Sequence, residues 1–166
     1  NIAGDARLEV VVGTGRCWDV PGCAQPGTHA GVGEYIIAVD STGVAVQGWP
    51  VDIPLRYAFA SPALADLDGD GDLEVVVNSI HKTSGAGRVH ALDGDGTDLP
   101  GWPRDPTVPA DCVTTSSVGS SASPAVGDLN NDGVPEIIVP MNTELVVMAA
   151  SGAQLSRMSG CSYPPG

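Results

Sequence analysis

Basic and aromatic residues are scarce in this 166-residue chain. Seven Lys and Arg stand against 20 Asp and Glu, for a formal net charge of −13. That balance argues against nucleic acid or an anionic membrane as partner, because both require a basic surface. Aromatics make up 4% of the residues and there is one Phe, so the core must come mainly from Val, Ile, Leu and Ala. No segment approaches the roughly 20 apolar residues of a membrane-spanning helix. Uninterrupted stretches are short as well. With 22 Gly and 14 Pro, the longest run free of both is residues 72–84. Helices usually need about 11–12 residues with a periodic apolar face, which argues against a helical bundle or an α/β fold. Hydrophobic residues at 42% exclude a wholly disordered chain. Four Cys suit two disulfides in an oxidising compartment. The spacing of Cys17 and Cys23 is not that of a zinc site.

What is present is repetition. Residues 61–77 read SPALADLDGDGDLEVVV and residues 123–139 read SPAVGDLNNDGVPEIIV; residues 1–12, NIAGDARLEVVV, match the second half of the same unit. A second block follows each: YIIAVDSTGVAVQGWP at 35–50, RVHALDGDGTDLPGWP at 88–103, and a decayed VVMAASGAQLSRMS at 146–159. Glu9, Glu74 and Glu136 mark the period, at intervals of 65 and 62 residues. Each unit reads as four short strands. Strand a is SPALADL, strand b the β-branched run LEVVV or PEIIV, strand c IIAVD or VHALD, and a Gly-containing turn leads to strand d. Four-stranded units at a period near 60 residues fit the radial sheets of a β-propeller. The expected fold is all-β: a partial propeller of three blades, at 1–60, 61–122 and 123–166. The first blade starts inside its unit and lacks strand a, the innermost strand.

Between strands a and b lies an acidic loop. Asp66, Asp68, Asp70 and Glu74 stand at positions 1, 3, 5 and 9, Asp72 at position 7 can offer its backbone carbonyl, and Gly71 permits the sharp turn. The third unit repeats this with Asp128, Asn130, Asp132, Gly133, Val134 and Glu136. Hard oxygen donors in this number suit Ca²⁺, which takes roughly 6–8. An EF-hand loop would require an acid at position 12 and a following helix; here position 12 is Val77 or Val139, within an apolar strand. In the first unit the corresponding residues are Asn1, Ala3, Asp5 and Glu9, a set expected to bind weakly or not at all.

The pattern D-x-[DN]-x-D-G-x-x-E between two strands, preceded by SPA, resembles the FG-GAP/VCBS repeat of integrin α-chain propellers and many secreted microbial proteins. The Gly-Trp-Pro at 48–50 and 101–103 is similar to the strand-d ending of bacterial members. The resemblance implies a propeller of about seven blades that holds Ca²⁺ in the a–b loop and serves adhesion, carbohydrate binding or scaffolding. Some related propellers are polysaccharide lyases.

The remaining residues give a coarser picture. Trp49 and Trp102 occupy equivalent positions, which favours packing between blades. His90 reads as a packed strand residue, and Asp40 and Asp93 as turn caps. Cys17 is expected to pair with Cys23, and Cys112 with Cys161, the second pair stapling blades 2 and 3. Length variation at 13–34 and 104–122 falls at the b–c and d–a end of the blades, where repeat folds build binding surfaces. Trp18, His29, His81 and Asp111 are the ligand candidates there. No nucleophile–base pair or phosphate loop can be argued, so the expected function is non-enzymatic. It is a secreted or surface-exposed, Ca²⁺-stabilised module binding a glycan or an extracellular protein. The alternatives are a subunit of an extracellular assembly joined through its open ends, and a fragment of a polysaccharide lyase. Further blades would come from the same longer chain or from other copies.

Overall fold

The computed structural model describes residues 2–3, 8–14, 34–106, 121–141 and 144–159. The described residues are all-β, without a helix, and form three antiparallel sheets, none of them closed. Sheet 1 comprises β1 (Glu9–Gly13), β2 (Tyr35–Asp40) and β3 (Val51–Asp52), in that order. Sheet 2 comprises β4 (Arg56–Tyr57), β5 (Ala63–Ala65), β6 (Glu74–His81) and β7 (Gly87–Leu92). Here β6 is central, with β7 on one side and β4 and β5 on the other. Sheet 3 is a meander of β8 (Ala125–Gly127), β9 (Glu136–Met141), β10 (Glu144–Met148) and β11 (Gln154–Ser159). The register repeats between units: Val10 faces Val39, Val75 faces Leu92, and Ile137 faces Met148.

Two local departures from the sequence reading have a backbone cause. In the second unit, strand d is reduced to the single pairs Leu92–Asp98 and Val89–Arg104. Pro100 and Pro103 lie between them, and proline cannot donate to a ladder. The third unit has no proline there, and β11 runs for six residues. Ahead of the SPA segment, Arg56 and Tyr57 form the unanticipated β4 against the far end of β6, so sheet 2 begins before residue 61.

Sheet 2 lies between the other two. Alternate residues of a strand face opposite sides, and all of Glu74–Ser79 is nonetheless buried. Val75 and Val77 pack with Ile36, Ala38 and Trp49 of the first unit. Val76, Val89 and Ala91 pack with Ile137, Val139, Val146 and Met148 of the third. The β-branched run therefore has no polar side to present, which is why it reads as continuous rather than alternating.

Gly-Trp-Pro forms the latch between neighbouring units. Trp49 Nε1 donates to Gly94 O at 2.8 Å, and Trp102 Nε1 donates to Ala150 O at 2.8 Å. Both acceptors sit in the c–d turn of the following unit, and both rings are buried. The c–d turns of the three units are alike: Gly43, Gly96 and Gly152 each donate to the carbonyl three residues earlier. The glycine of the motif answers to the same approach. Gly48 has φ +87°, and a Cβ there would lie 1.7 Å from Asp95 O. In the first turn, Asp40 Oδ1 accepts from Thr42 N and Val44 N at 2.8 and 3.0 Å, the capping expected of it.

One patch of the interface between sheets 1 and 2 is polar. His90 Nε2 lies 2.9 Å from Ser79 Oγ, and Arg56 Nη1 donates to Ser79 Oγ and Ala86 O. Burial, reinforced by the Arg56 and Arg88 charges, depresses the His90 pKa from 6.5 to about 4. His90 therefore stays neutral in the fold while the unfolded chain takes up a proton. The stability this gives is complete above pH 6.5 and is lost as pH falls towards 4. Lowering the pH from 7.5 to 5 should cost about 2 kcal/mol through this group. His90→Val, which installs the residue type found at the equivalent Val146, should flatten that part of the profile. Denaturant midpoints at the two pH values measure it; equal pH dependence in the variant and the parent would refute the assignment.

Candidate metal centre

Strand b positions the centre. In each unit its first residue is the repeated glutamate, and that carboxylate accepts a hydrogen bond from the amide seven residues earlier. The distances are 3.0 Å for Ile2 N to Glu9 Oε2, 2.5 Å for Leu67 N to Glu74 Oε2 and 2.8 Å for Leu129 N to Glu136 Oε2. The glutamate thus ties the loop to the sheet with one oxygen and leaves the other for the loop interior. This tethering role was not foreseen in the sequence, although the fixed period of the three glutamates carried the signal.

The loops at 66–74 and 128–136 share one backbone conformation. The position-1 carboxylate accepts from the amide at position 6: Gly71 N to Asp66 Oδ2 at 3.2 Å, and Gly133 N to Asp128 Oδ2 at 2.9 Å. Position 3 accepts from position 5, with Asp70 N on Asp68 and Asp132 N on Asn130. Position 5 accepts from position 7, with Asp72 N on Asp70 and Val134 N on Asp132, both at 2.8 Å. These bonds turn successive side chains inwards. The Val134 side chain is exposed, so its backbone carbonyl is what it can offer.

In the second unit the carboxylates converge. Oxygens of Asp66, Asp68 and Glu74 all lie within 4.8 Å of one another. Glu74 is fully buried, and its Oε1 has no hydrogen-bond partner. A buried acceptor left unbonded is costly. Burial pushes the Glu74 carboxyl above its usual range; the Leu67 amide opposes that, and Asp68, Asp70 and Asp66 add repulsion. A hard cation fits this donor set: it would neutralise the repulsion and occupy the unbonded oxygen. Asp66, Asp68, Asp70, Glu74 and the Asp72 carbonyl are the residues that would hold it.

The third unit differs. Asn130 Nδ2 donates to Glu136 Oε1 and Asp132 Oδ2, both at 3.0 Å, so the corresponding oxygen is satisfied within the protein. This loop carries the three carboxylates of Asp128, Asp132 and Glu136, against five at 66–74. The first unit supplies Glu9, with Ala3 at the third position.

The other candidates are dispersed. His81 ends β6 at the b–c turn, its Nδ1 facing the amides of Thr83 and Ser84 at 3.4 and 3.3 Å. Asn1, Asp5, Trp18, His29, Asp111 and the cysteines Cys17, Cys23, Cys112 and Cys161 lie outside the described residues. The sequence reading passed over Arg56, Ser79 and Asp98, which line or border a cleft with His90. Comparing His90 with Ile37 and Val146 at the same repeat position would have exposed it.

No family model matches the chain, and no curated protein matches it. Similar solved structures include a protein of unknown function from Bacteroides caccae, at 13% identity and TM-score 0.46, covering 76% of this chain. Another is the V. cholerae biofilm matrix protein Bap1, at 18% identity and TM-score 0.28, also covering 76% of this chain. The chain spans 39% and 24% of the length of those two proteins. Among the described residues, no helix is long and apolar enough to cross a membrane.

Proposed function

We propose that this chain is a segment of a Ca²⁺-stabilised β-propeller of FG-GAP type, acting outside the cell as a non-enzymatic module that binds a glycan or a protein. The observation that carries the reading is the unbonded, buried Glu74 Oε1, held beside Asp66 and Asp68 in a loop whose conformation recurs at 128–136. Stacked antiparallel units of three or four strands, joined by a repeated tryptophan latch, support the propeller. The four Cys of the sequence suit an oxidising compartment, which supports an extracellular setting. A glycan array probed with the protein in millimolar Ca²⁺, and again in chelator, tests the function. Retention on a defined glycan class that disappears with chelation is expected. Failure to bind any glycan in calcium would leave the protein-partner reading, and turnover of a polysaccharide would replace both.

A specific observation favours a second reading, an assembling subunit. Val10 and Val12 are 59% and 45% exposed on the outer face of sheet 1, and Met158 is 71% exposed on sheet 3. Such faces suit further stacked sheets, from the same chain or from other copies.

A further inference from the structure

The cleft between sheets 1 and 2 holds an arginine that makes no direct ion pair among the described residues. Arg56 is 6% exposed, and no Asp or Glu among the described residues forms an ion pair with it. Both its hydrogen bonds run through Nη1, which leaves Nε and Nη2, the two parallel donors of the guanidinium fork. A guanidinium keeps its proton even when buried, and buried charges are normally paired. The neighbouring Arg88 is already matched: its Nε and Nη2 bind Asp105 at 2.6 and 2.8 Å. The other units do without this arrangement. Register places Val146 and Met141 where the second unit has His90 and Ser79, so packing alone does not call for polar groups here. The space beside these groups is about 210 Å³, lined by Arg56, Arg88, His90, Asp52, Asp98 and Pro103. That is room for about seven water molecules at ~30 Å³ each.

We propose that this cleft binds a small hydroxy-carboxylate anion, whose carboxylate receives the Arg56 Nε and Nη2 donors and whose hydroxyls donate to Asp98 and Asp52. The fork matches a planar carboxylate bidentately. The two aspartates of the lining limit the charge a ligand can bring, which favours a monoanion, and His90, neutral at pH 7, adds no positive charge. A phosphate would bring nearly two negative charges beside two aspartates. The site lies apart from the acidic loops and does not depend on the metal reading.

The test is an NMR titration of the folded chain at pH 7 in calcium, following the Arg56 Nε–Hε resonance. Glycerate should shift it saturably, while propionate, lacking hydroxyls, and glycerol, lacking charge, should bind at least tenfold more weakly. Arg56→Gln should weaken glycerate at least tenfold, read from cleft backbone amides, and Arg104→Gln, outside the cleft, should leave it unchanged. If Arg56→Gln does not fold, Asp98→Asn serves instead and should weaken glycerate without affecting propionate. No saturable shift with glycerate, unchanged affinity in the cleft variants, or tighter binding of inorganic phosphate would each overturn the proposal.

Discussion

Trp102→Ala should destabilise the protein by about 3–5 kcal/mol, the usual cost of deleting a buried aromatic. The ring is 7% exposed within the cluster shared by sheets 2 and 3. Its removal opens a cavity against Ile137, Val139 and Met148 and strips Ala150 O of its indole donor. At roughly 2–4 °C per kcal/mol for a chain of this size, the melting temperature should fall by about 6–20 °C. Trp102→Phe separates the two contributions. It restores most of the apolar volume but not the N–H, and should cost about 1–3 kcal/mol. The glycine beside the equivalent Trp49 tests the close approach itself. Gly43→Ala and Gly48→Ala both impose a side chain at positive φ, but only the second meets a neighbour, Asp95 O. Gly48→Ala should therefore be the more damaging of the two. A Trp102→Ala variant within 1 kcal/mol of the parent would show that the units do not depend on this latch.

The latch also marks how far the sequence could be read. Repetition exposed the four-strand unit, because the turn glycines, Gly-Trp-Pro and the strand-b glutamate recur at fixed offsets and each does a local task. The apolar run Val75–Val77 announced burial on both sides for the same reason: no position alternates with water. What escaped notice depends on contacts between units. The carbonyl acceptors of Trp49 and Trp102 belong to turns some 45 residues away in sequence, and no local pattern specifies them. β4 escaped because Arg56–Tyr57 is too short to show a period, its pairing being decided by the length of β6. The cleft escaped because Arg56, His90 and Asp98 meet only when two sheets stack. In the acidic loops the ligand types were legible, but the difference between them was not. Asn130 looks like a fair substitute for Asp68 as an oxygen donor, yet in the folded loop its amide satisfies Glu136.

That difference sets the expected response to calcium. A cation that binds only the folded state stabilises it by RT ln(1 + [L]/Kd), about 2.7 kcal/mol at one hundred times Kd and about 4.1 at one thousand. The site at 66–74 should provide most of this. Its four ligand carboxylates, Asp66, Asp68, Asp70 and Glu74, repel one another without an ion, against three in the other loop, and affinity in such loops rises with the number of charged ligands. Calorimetric titration should resolve two unequal sites, the tighter one at 66–74. Chelation should then lower the melting temperature by several degrees. Asp68→Asn makes the second loop resemble the third, because an amide at that position can donate to Glu74 Oε1 as Asn130 does to Glu136. The variant should therefore bind calcium more weakly and, in chelator, be at least as stable as the parent. Opposite signs with and without the ion distinguish a ligand from a residue that merely supports the loop. If Asp68→Asn lost equal stability in both conditions, or if chelation left the melting temperature unmoved, the acidic loop would be a solvated turn and not a metal centre.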